Sequence, residues 1–318
     1  MSGHTVAGDE HLIRSSLWSS QIKSLLMDDL FAMKYVRILS DFPDGTTINI
    51  PSIGEAETQN FVEGQRIKYN KLDTGNFQFS FDEYKYSANS ISQKFKRDSF
   101  YSAEVLAAFV PRQHRALMEA VETRILSRGN AGQTASDLNL INGAAHRYVG
   151  HGTSEVMAVK DFSLARYALG RANVPRNNLV AIVDPSVTYA IEQLPNVINM
   201  LSPMPSAERI IREGMTTGMK FKWGFMGFDV YESNYLPRDI AETVNSVSVT
   251  TGVANLFFSA AAGDTMPIIG GFRQMPTVES SYNKDTQETE YLTIAEWGFK
   301  LYRPENMVVV LTDTDQVS

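Results

Sequence analysis

The chain has no cysteine among its 318 residues. Disulfides, thiolate metal sites and cysteine nucleophiles are therefore excluded, and cohesion must come from packing and subunit association. It has no basic excess either: 29 Lys and Arg stand against 36 Asp and Glu, a formal charge of -7. A dedicated nucleic-acid binder carries a basic domain or stripe that neutralises phosphates, so that class is disfavoured and contact with DNA is expected to be incidental. No window approaches the ~18 uninterrupted apolar residues of a membrane span, and the N-terminus carries no charged-then-apolar signal pattern. The expectation is a protein soluble when made, with no membrane partner. Repeats and low-complexity tracts are also absent. What is present is a hydrophobic content of 43%, with 17 Phe and 13 Tyr, enough for one large or two to three smaller cored domains. Many of these aromatics sit in alternating runs, which points to a β-rich α+β architecture.

Enzyme signatures are missing. There is no Gly-x-Ser-x-Gly elbow, and Gly214, Gly218, Gly224 and Gly227 fit neither a phosphate loop nor a dinucleotide fingerprint. His146 and His151, five apart, share no helical face and match no zinc signature, so a satisfied loop pair is the expectation and no metal site is assigned. Glu55, Glu57, Glu63, Asp82 and Glu83 fall on a ribbon expected to be exposed, where carboxylates are solvated and lack the burial that tunes an acid/base pair. His114 on the long helix reads as a surface histidine rather than a pH switch. Trp18, Trp223 and Trp297 are interface or core anchors, the last more suited to core. No catalytic residue, cofactor or metal is expected.

Along the chain, residues 1–40 read as an arm with one amphipathic helix, carrying Leu17, Trp18, Ile22, Leu25, Leu26, Leu30 and Met33. Its apolar face packs either on a neighbouring subunit or back on its own core. Thr46 to Pro51 alternates as a strand. Gln65 to Leu72 and Asn76 to Phe95 read as further strands about a turn at Asp73-Thr74-Gly75-Asn76. Phe77, Phe79 and Phe81 share one parity and Tyr84, Tyr86 and Ala88 the other, so a bulge near Asp82-Glu83 is expected. A two-stranded ribbon of this length is marginal alone and needs a partner surface. Ser102 to Phe109 reads as a short helix ended by Val110-Pro111. A second helix runs from Pro111 to before Gly129, with Ala116, Leu117, Met118, Ala120, Val121 and Ile125 on one face. Asn130 to Gly152 is loop-like and Asp161 to Ala172 helical. Leu179 to Val183 is a strand buried on both faces, stopped by Pro185, with Asp184 capping a helix that carries Val187, Ala190, Ile191 and Leu194. Phe228 and Val230 lie on a short strand before the Asn234-Tyr235-Leu236-Pro237 turn. Val247 to Thr251 and Ala254 to Ala261 are two further strands. The segment from Tyr291 to Leu301, a turn at Arg303 to Asn306 and Met307 to Leu311 form a terminal core hairpin.

Two segments carry more than this. Asn173-Val174-Pro175-Arg176-Asn177-Asn178 leading into Leu179-Val180-Ala181-Ile182-Val183-Asp184-Pro185, and Gly224-Phe225-Met226-Gly227-Phe228-Asp229-Val230-Tyr231-Glu232-Ser233-Asn234-Tyr235-Leu236-Pro237, resemble the segments bracketing the axial domain of tailed-bacteriophage major capsid proteins. The order of elements across essentially the whole chain is similar to that family, whose fold encapsulins share. The resemblance implies an N-terminal arm at 1–45, an extended E-loop at 46–97, a peripheral domain with its spine helix at 98–154, an axial domain at 155–267 and returning strands at 268–318. It further implies a major capsid subunit of a short-tailed or siphovirus-type phage, assembling with itself as pentamers and hexamers into an icosahedral virion shell around double-stranded DNA. A separate scaffolding protein, a portal protein and cement proteins are the implied partners, and assembly takes place in the bacterial host cytoplasm. Trp18, Gln65, Lys68, Lys71, Asp73, Gly75, Phe77 and Phe79 are the implied inter-subunit contacts, and no Lys–Asn cross-link is assigned. An encapsulin-like compartment and a soluble α/β enzyme are the alternatives.

Overall fold

Short apolar runs and long alternating runs enter two different sheets, and that division organises the chain. The computed structural model describes residues 30–39, 47–53, 60, 63–64, 66, 74–98, 102–192, 221–261 and 263–314. In chain order, β1 (Val36–Ile38) is followed by β2 (Thr47–Ile53), β3 (Thr74–Ser80) and β4 (Glu83–Ser92). Two helices come next, α1 (Gln93–Asp98) and α2 (Ser102–Ala131), then the short strands β5 (Leu140–Ile141), β6 (Ala144–Ala145) and β7 (Arg147–Val149). Helix α3 (Val159–Arg171), strand β8 (Leu179–Val183) and helix α4 (Pro185–Glu192) form the central segment. The remainder is all β: β9 (Phe221–Phe225), β10 (Phe228–Glu232), β11 (Ile240–Val244), β12 (Val247–Ser259), β13 (Ile268–Asn283), β14 (Glu288–Leu301) and β15 (Val308–Asp313).

The first sheet runs β7-β15-β12-β8-β10-β9, with β11 added on β12. Strand β8 is buried at every residue because both of its faces are covered. Val180 and Ile182 point into a core shared with Leu117, Val121 and Ile125 of α2. Leu179, Ala181 and Val183 point the other way, into a core with Phe162, Ala165 and Leu169 of α3 and Val187 and Ile191 of α4. In this second core Phe162 meets Phe225, Phe228 and Phe257 edge-on at 4.9, 6.3 and 5.2 Å between centroids. Such pairs add about 0.5–1.5 kcal/mol each beyond the area they bury. Local signals hold both helices in place. The Asp161 carboxylate accepts the Ala158 amide at the start of α3, and Asp184 accepts the Ser186 amide and hydroxyl at the start of α4.

The second sheet runs β1-β13-β14-β4. Its strands of up to 16 residues reach well beyond the core, since at ~3.4 Å per residue such a strand spans about 50 Å. Helix α2, about 45 Å long at 1.5 Å per residue, lies against one face of this sheet. Gln113 at its buried surface donates to the carbonyls of Ser87 and Tyr291 and accepts from the Thr293 hydroxyl.

Several expectations change. Pro111 lies inside α2, so one 30-residue helix replaces two; Pro111 is exposed, and the intrahelical bond it removes is lost on a side open to water. Ala116, expected on the packed face, is exposed. Gly129 does not stop the helix: a Cβ there would lie 2.9 Å from Leu256, so the glycine permits close packing. Thr74, Gly75 and Asn76 are strand, paired with Ile53, Ser52 and Pro51. The predicted turn is therefore not formed at Thr74, Gly75 and Asn76, where pairing with β2 overrides the turn-like composition; Asp73 lies outside the described residues. The predicted strand over 76–95 is three elements, β3, β4 and α1, broken at Phe81 and Asp82 where the chain leaves β2 and joins β14. The loop at 130–152 contains β5, β6 and β7. The two strands predicted between 247 and 261 are one, β12. The terminal hairpin does not form: β14 pairs with β13 and β4, whereas β15 pairs with β12 and β7 in the other sheet.

Candidate interaction surfaces

Three features border the two cores, and each is built from identifiable contacts. The first is the exit of the N-terminal segment. Glu122 of α2, 1% exposed, accepts the backbone amides of Phe31 and Ala32 at 3.1 and 3.0 Å. Phe31 stacks on Tyr231 with centroids 5.4 Å apart. Tyr35, buried beside Tyr231, has its hydroxyl pKa pushed well above the usual phenol value by burial and then by that neighbour. Phe31 and Ala32 are therefore anchored on the long helix.

The second is the β2–β3 ribbon. Ile48 pairs with Phe79 and Ile50 with Phe77, which places the aliphatics and aromatics on one face. That face lies on β14 at Gly298, where a Cβ would come within 2.5 Å of the Ser80 carbonyl oxygen. Lys300 donates to the Gln78 carbonyl at 2.9 Å and stands 4.9 Å over the Phe77 ring, and Phe77 meets Tyr302 edge-on at 5.0 Å. At the base of the ribbon Arg124 Nη2 donates to Asp82 at 2.5 Å, Arg124 Nε lies 2.5 Å from Glu83, and Arg128 also donates to Asp82. Asp82 is exposed, as expected, and Glu83 is half-buried; together they also fasten the ribbon to α2. A shallow depression of ≈ 350 Å³ between ribbon and core is lined by Gly75, Asn76, Phe77, Tyr302, Arg303 and Glu305. Its charged groups, Arg303 and Glu305, pair with each other at 3.2 Å, which leaves a recess without a reactive centre.

The third is the open face of the second sheet, on the side away from α2. Tyr84 and Tyr86 are 61% and 68% exposed. They stand beside Glu296 and Ile294, and Ala88 beside Leu292, so a partly apolar sheet face continues past the point where the ribbon covers it.

Of the sequence-derived contact residues, Trp18, Gln65, Lys68, Lys71 and Asp73 lie outside the described residues. Gly75 is exposed, Phe77 half-buried, and Phe79 is 1% exposed, enclosed by its own chain. His146 and His151 separate. His146 is fully buried with Nδ1 3.0 Å from the Ala144 carbonyl, and burial holds its pKa below the ordinary histidine value. His151 lies at the surface with Nδ1 2.5 Å from Asp161. Trp297 is core and His114 is exposed. Among the described residues no group of three or more His, Asp or Glu is placed to hold a metal ion, and no helix is long and apolar enough to cross a membrane. Sequence reasoning missed the buried pair Arg147–Glu242. Arg147 Nε and Nη2 donate to the two Glu242 oxygens at 2.7 and 2.5 Å, and Nη1 donates to Asn130 at 2.7 Å. The signal was an Arg inside an otherwise apolar strand, Tyr148 and Val149 following it.

No protein-family profile matches the chain, and no curated protein matches it significantly in sequence. Solved structures do match in shape. The chain is similar to "Capsid structure of the Cyanophage P-SCSP1u", with a TM-score of 0.71 at 16% identity over 98% of this chain and 95% of that one. It is similar to "Asymmetric unit of bacteriophage PhiM1 mature capsid", at 0.68 and 11%, covering 95% and 93%. A third, "Capsid of native GTA particle computed with C5 symmetry", gives 0.66 and 12%, covering 98% and 99%. The tailed-phage major capsid fold is the fold of this chain, an α+β architecture followed from end to end.

Proposed function

We propose that the chain is a structural capsid protein, not an enzyme, which associates with copies of itself as pentamers and hexamers into an icosahedral virion shell around double-stranded DNA. The observation that carries this reading is the end-to-end match in fold to phage capsid subunits, 98% of this chain against 95% of the cyanophage capsid chain. The open tyrosine-bearing sheet face supports it, because it exposes surface that a monomer gains nothing by exposing. In this reading residues 1–45 are the arm, 46–97 the E-loop, 98–154 the peripheral domain with α2 as its spine, 155–267 the axial domain and 268–318 the returning strands. The contacts with neighbouring subunits come from Trp18, Gln65, Lys68, Lys71, Asp73, Gly75 and Phe77, and the sheet face around Tyr84, Tyr86 and Ile294 receives a neighbour's ribbon. Permanent shells bury several thousand Å2 per subunit through many individually weak contacts.

A separate scaffold, a portal and cement proteins are the partners of the same proposal, with assembly in the host cytoplasm; the short-tailed or siphovirus-type parent rests on the motif resemblance. Electron microscopy of the expressed full chain tests it. Closed particles of tens of nanometres are the expected result. A monomer or dimer at every concentration and ionic strength, with or without a scaffold, overturns it.

A further inference from the structure

Several arginines of the described surface are neutralised within the chain. Arg37 pairs with Asp264, Arg115 with Glu119, Arg124 and Arg128 with Asp82, Arg238 with Asp184, and Arg273 with Glu296. The outer side of α3 departs from this pattern. Lys160, Arg166 and Arg171 are exposed there, and Arg176 follows in the turn packed against Gly170. None of the four makes an ion pair among the described residues. The one acid of the helix, Asp161, is fully buried and committed to His151 and the Ala158 amide. Lys160 to Arg171 spans about 16 Å of helix, and its exposed charges are all positive, on a chain of net charge -7.

Two of these cations are also held in position. Arg166 donates one edge to the Met226 carbonyl at 3.4 Å, and Arg171 donates to the Asn142 carbonyl at 3.1 and 2.8 Å. Each guanidinium keeps further N–H groups free, and fixing the side chain beforehand lowers the ordering cost of gripping an oxyanion. Exposed Tyr167 on the same helix adds a hydroxyl donor. The exposed residues of α3 are polar or charged apart from the Tyr167 ring, whereas a protein partner is usually gripped through a buried apolar anchor in a pocket. A smooth run of phosphates needs no such pocket.

We propose that the outer face of α3, through Lys160, Arg166, Arg171 and Arg176, binds the phosphodiester backbone of double-stranded DNA without reading sequence, and that it faces the inside of the shell. The inference rests on the capsid reading for its source of DNA and for the direction of the face. Four phosphate contacts give a log K against log salt slope of about -3 to -4, with affinity falling roughly 100-fold between about 50 and 200 mM salt. That strength lets packaged DNA touch the wall and still slide along it.

The test uses the full chain before assembly and a labelled mixed-sequence duplex of about 30 base pairs, with binding read by fluorescence anisotropy across a salt series. Replacing all four cations by Gln is expected to weaken binding at least about 10-fold at low salt and bring the slope near zero. Lys94→Gln, Arg97→Gln and Lys284→Gln together leave both unchanged. An unaltered slope in the fourfold variant overturns the proposal. So does polyglutamate of equal charge displacing the duplex as well as DNA itself, which would assign the face to an acidic protein. If the fourfold variant does not fold, Lys160→Gln with Arg176→Gln, neither of which holds a carbonyl, is expected to remove about 2 from the slope. Closed shells are expected to bind added duplex far less than unassembled subunits, and equal binding refutes the inward orientation. Failure of the wild-type chain to form shells would strike the capsid reading while leaving the binding result to stand or fall alone.

Discussion

At the scale of residues, the strongest electrostatic commitment in the core is Arg147–Glu242, whose side chains are 2% and 5% exposed. Two charges held this far from water are tolerated because the pair is bidentate and Glu242 also accepts the Ser136 amide at 2.6 Å. Removing one partner strands the other, so Arg147→Ala is expected to lower unfolding free energy by about 3–5 kcal/mol, whereas replacing both by apolar residues of similar volume recovers most of the loss. Urea denaturation of the subunit measures both. The pair also fixes an acid limit. Hydrogen bonding to Arg147 holds the Glu242 pKa below its ordinary 4.5, so its stabilisation is present above that value and disappears as pH falls through the lower folded value. His146 acts in the same direction at milder acidity. Burial depresses its pKa from 6.5; the folded state therefore resists its protonation, and stability declines as pH drops below about 6.5. Melting temperatures measured from pH 7.5 to 5 are expected to fall in the wild type and to stay flatter in His146→Gln; equal slopes would remove His146 from the explanation. Neither role could be read from sequence. His146 and His151 look alike in a glycine-rich segment, and only the pairing of β7 with β15 sends one inward and leaves the other at the surface.

At the scale of elements, what was legible depended on whether the partner lay close in sequence. The strand Leu179–Val183, its Asp184 cap and the following helix were readable because the apolar run, the cap and the proline act locally. Strand β3 was readable from Asn76 onward by its alternating aromatics but not at its start, because Thr74 and Gly75 have the composition of a turn and become strand only through Ser52 and Ile53 across the ribbon. Likewise β14 and β15 adjoin in sequence, yet their alternation carries no mark of the sheet each joins. Glycines at these crossings are structural. A Cβ at Gly270 would lie 2.6 Å from the Gly298 carbonyl and 2.1 Å from the Phe299 ring. Gly270→Ala therefore forces β13 away from β14 and is expected to lower unfolding free energy by about 1–3 kcal/mol in chemical denaturation. Gly263→Ala, with open space around it, serves as the neutral comparison. The Asp82 junction predicts a different effect. Its side chain is 36% exposed, so Asp82→Asn is expected to change global stability by no more than about 1 kcal/mol. What it loosens is the angle between ribbon and α2, which limited proteolysis between Ile53 and Thr74 would register as faster cleavage.

At the scale of the whole molecule, the two sheets have different relations to solvent. The seven-stranded sheet has α2 on one face and α3 and α4 on the other, and with both faces covered it is complete within one chain. Among the described residues the four-stranded sheet has α2 on one face and the base of the ribbon on the other, and Tyr84 and Tyr86 remain exposed. In the proposed capsid role, such a chain would fold on the first sheet and leave the second to be completed by a neighbouring copy. The separation predicts a variant that folds without assembling. Strands β2 and β3 are paired up to Ile53 and Thr74, so residues 54–73 can be replaced by an Asn-Gly turn, which closes a two-residue hairpin in a twist compatible with the strands. The shortened chain is expected to keep its melting temperature within a few degrees, because every residue of the two described hydrophobic cores is retained. Sedimentation and electron microscopy are expected to show subunits or capsomers and no closed shells. Normal shells from this variant would mean that the reach of the ribbon beyond its base contributes nothing to association, and the bare sheet face would then need another cover.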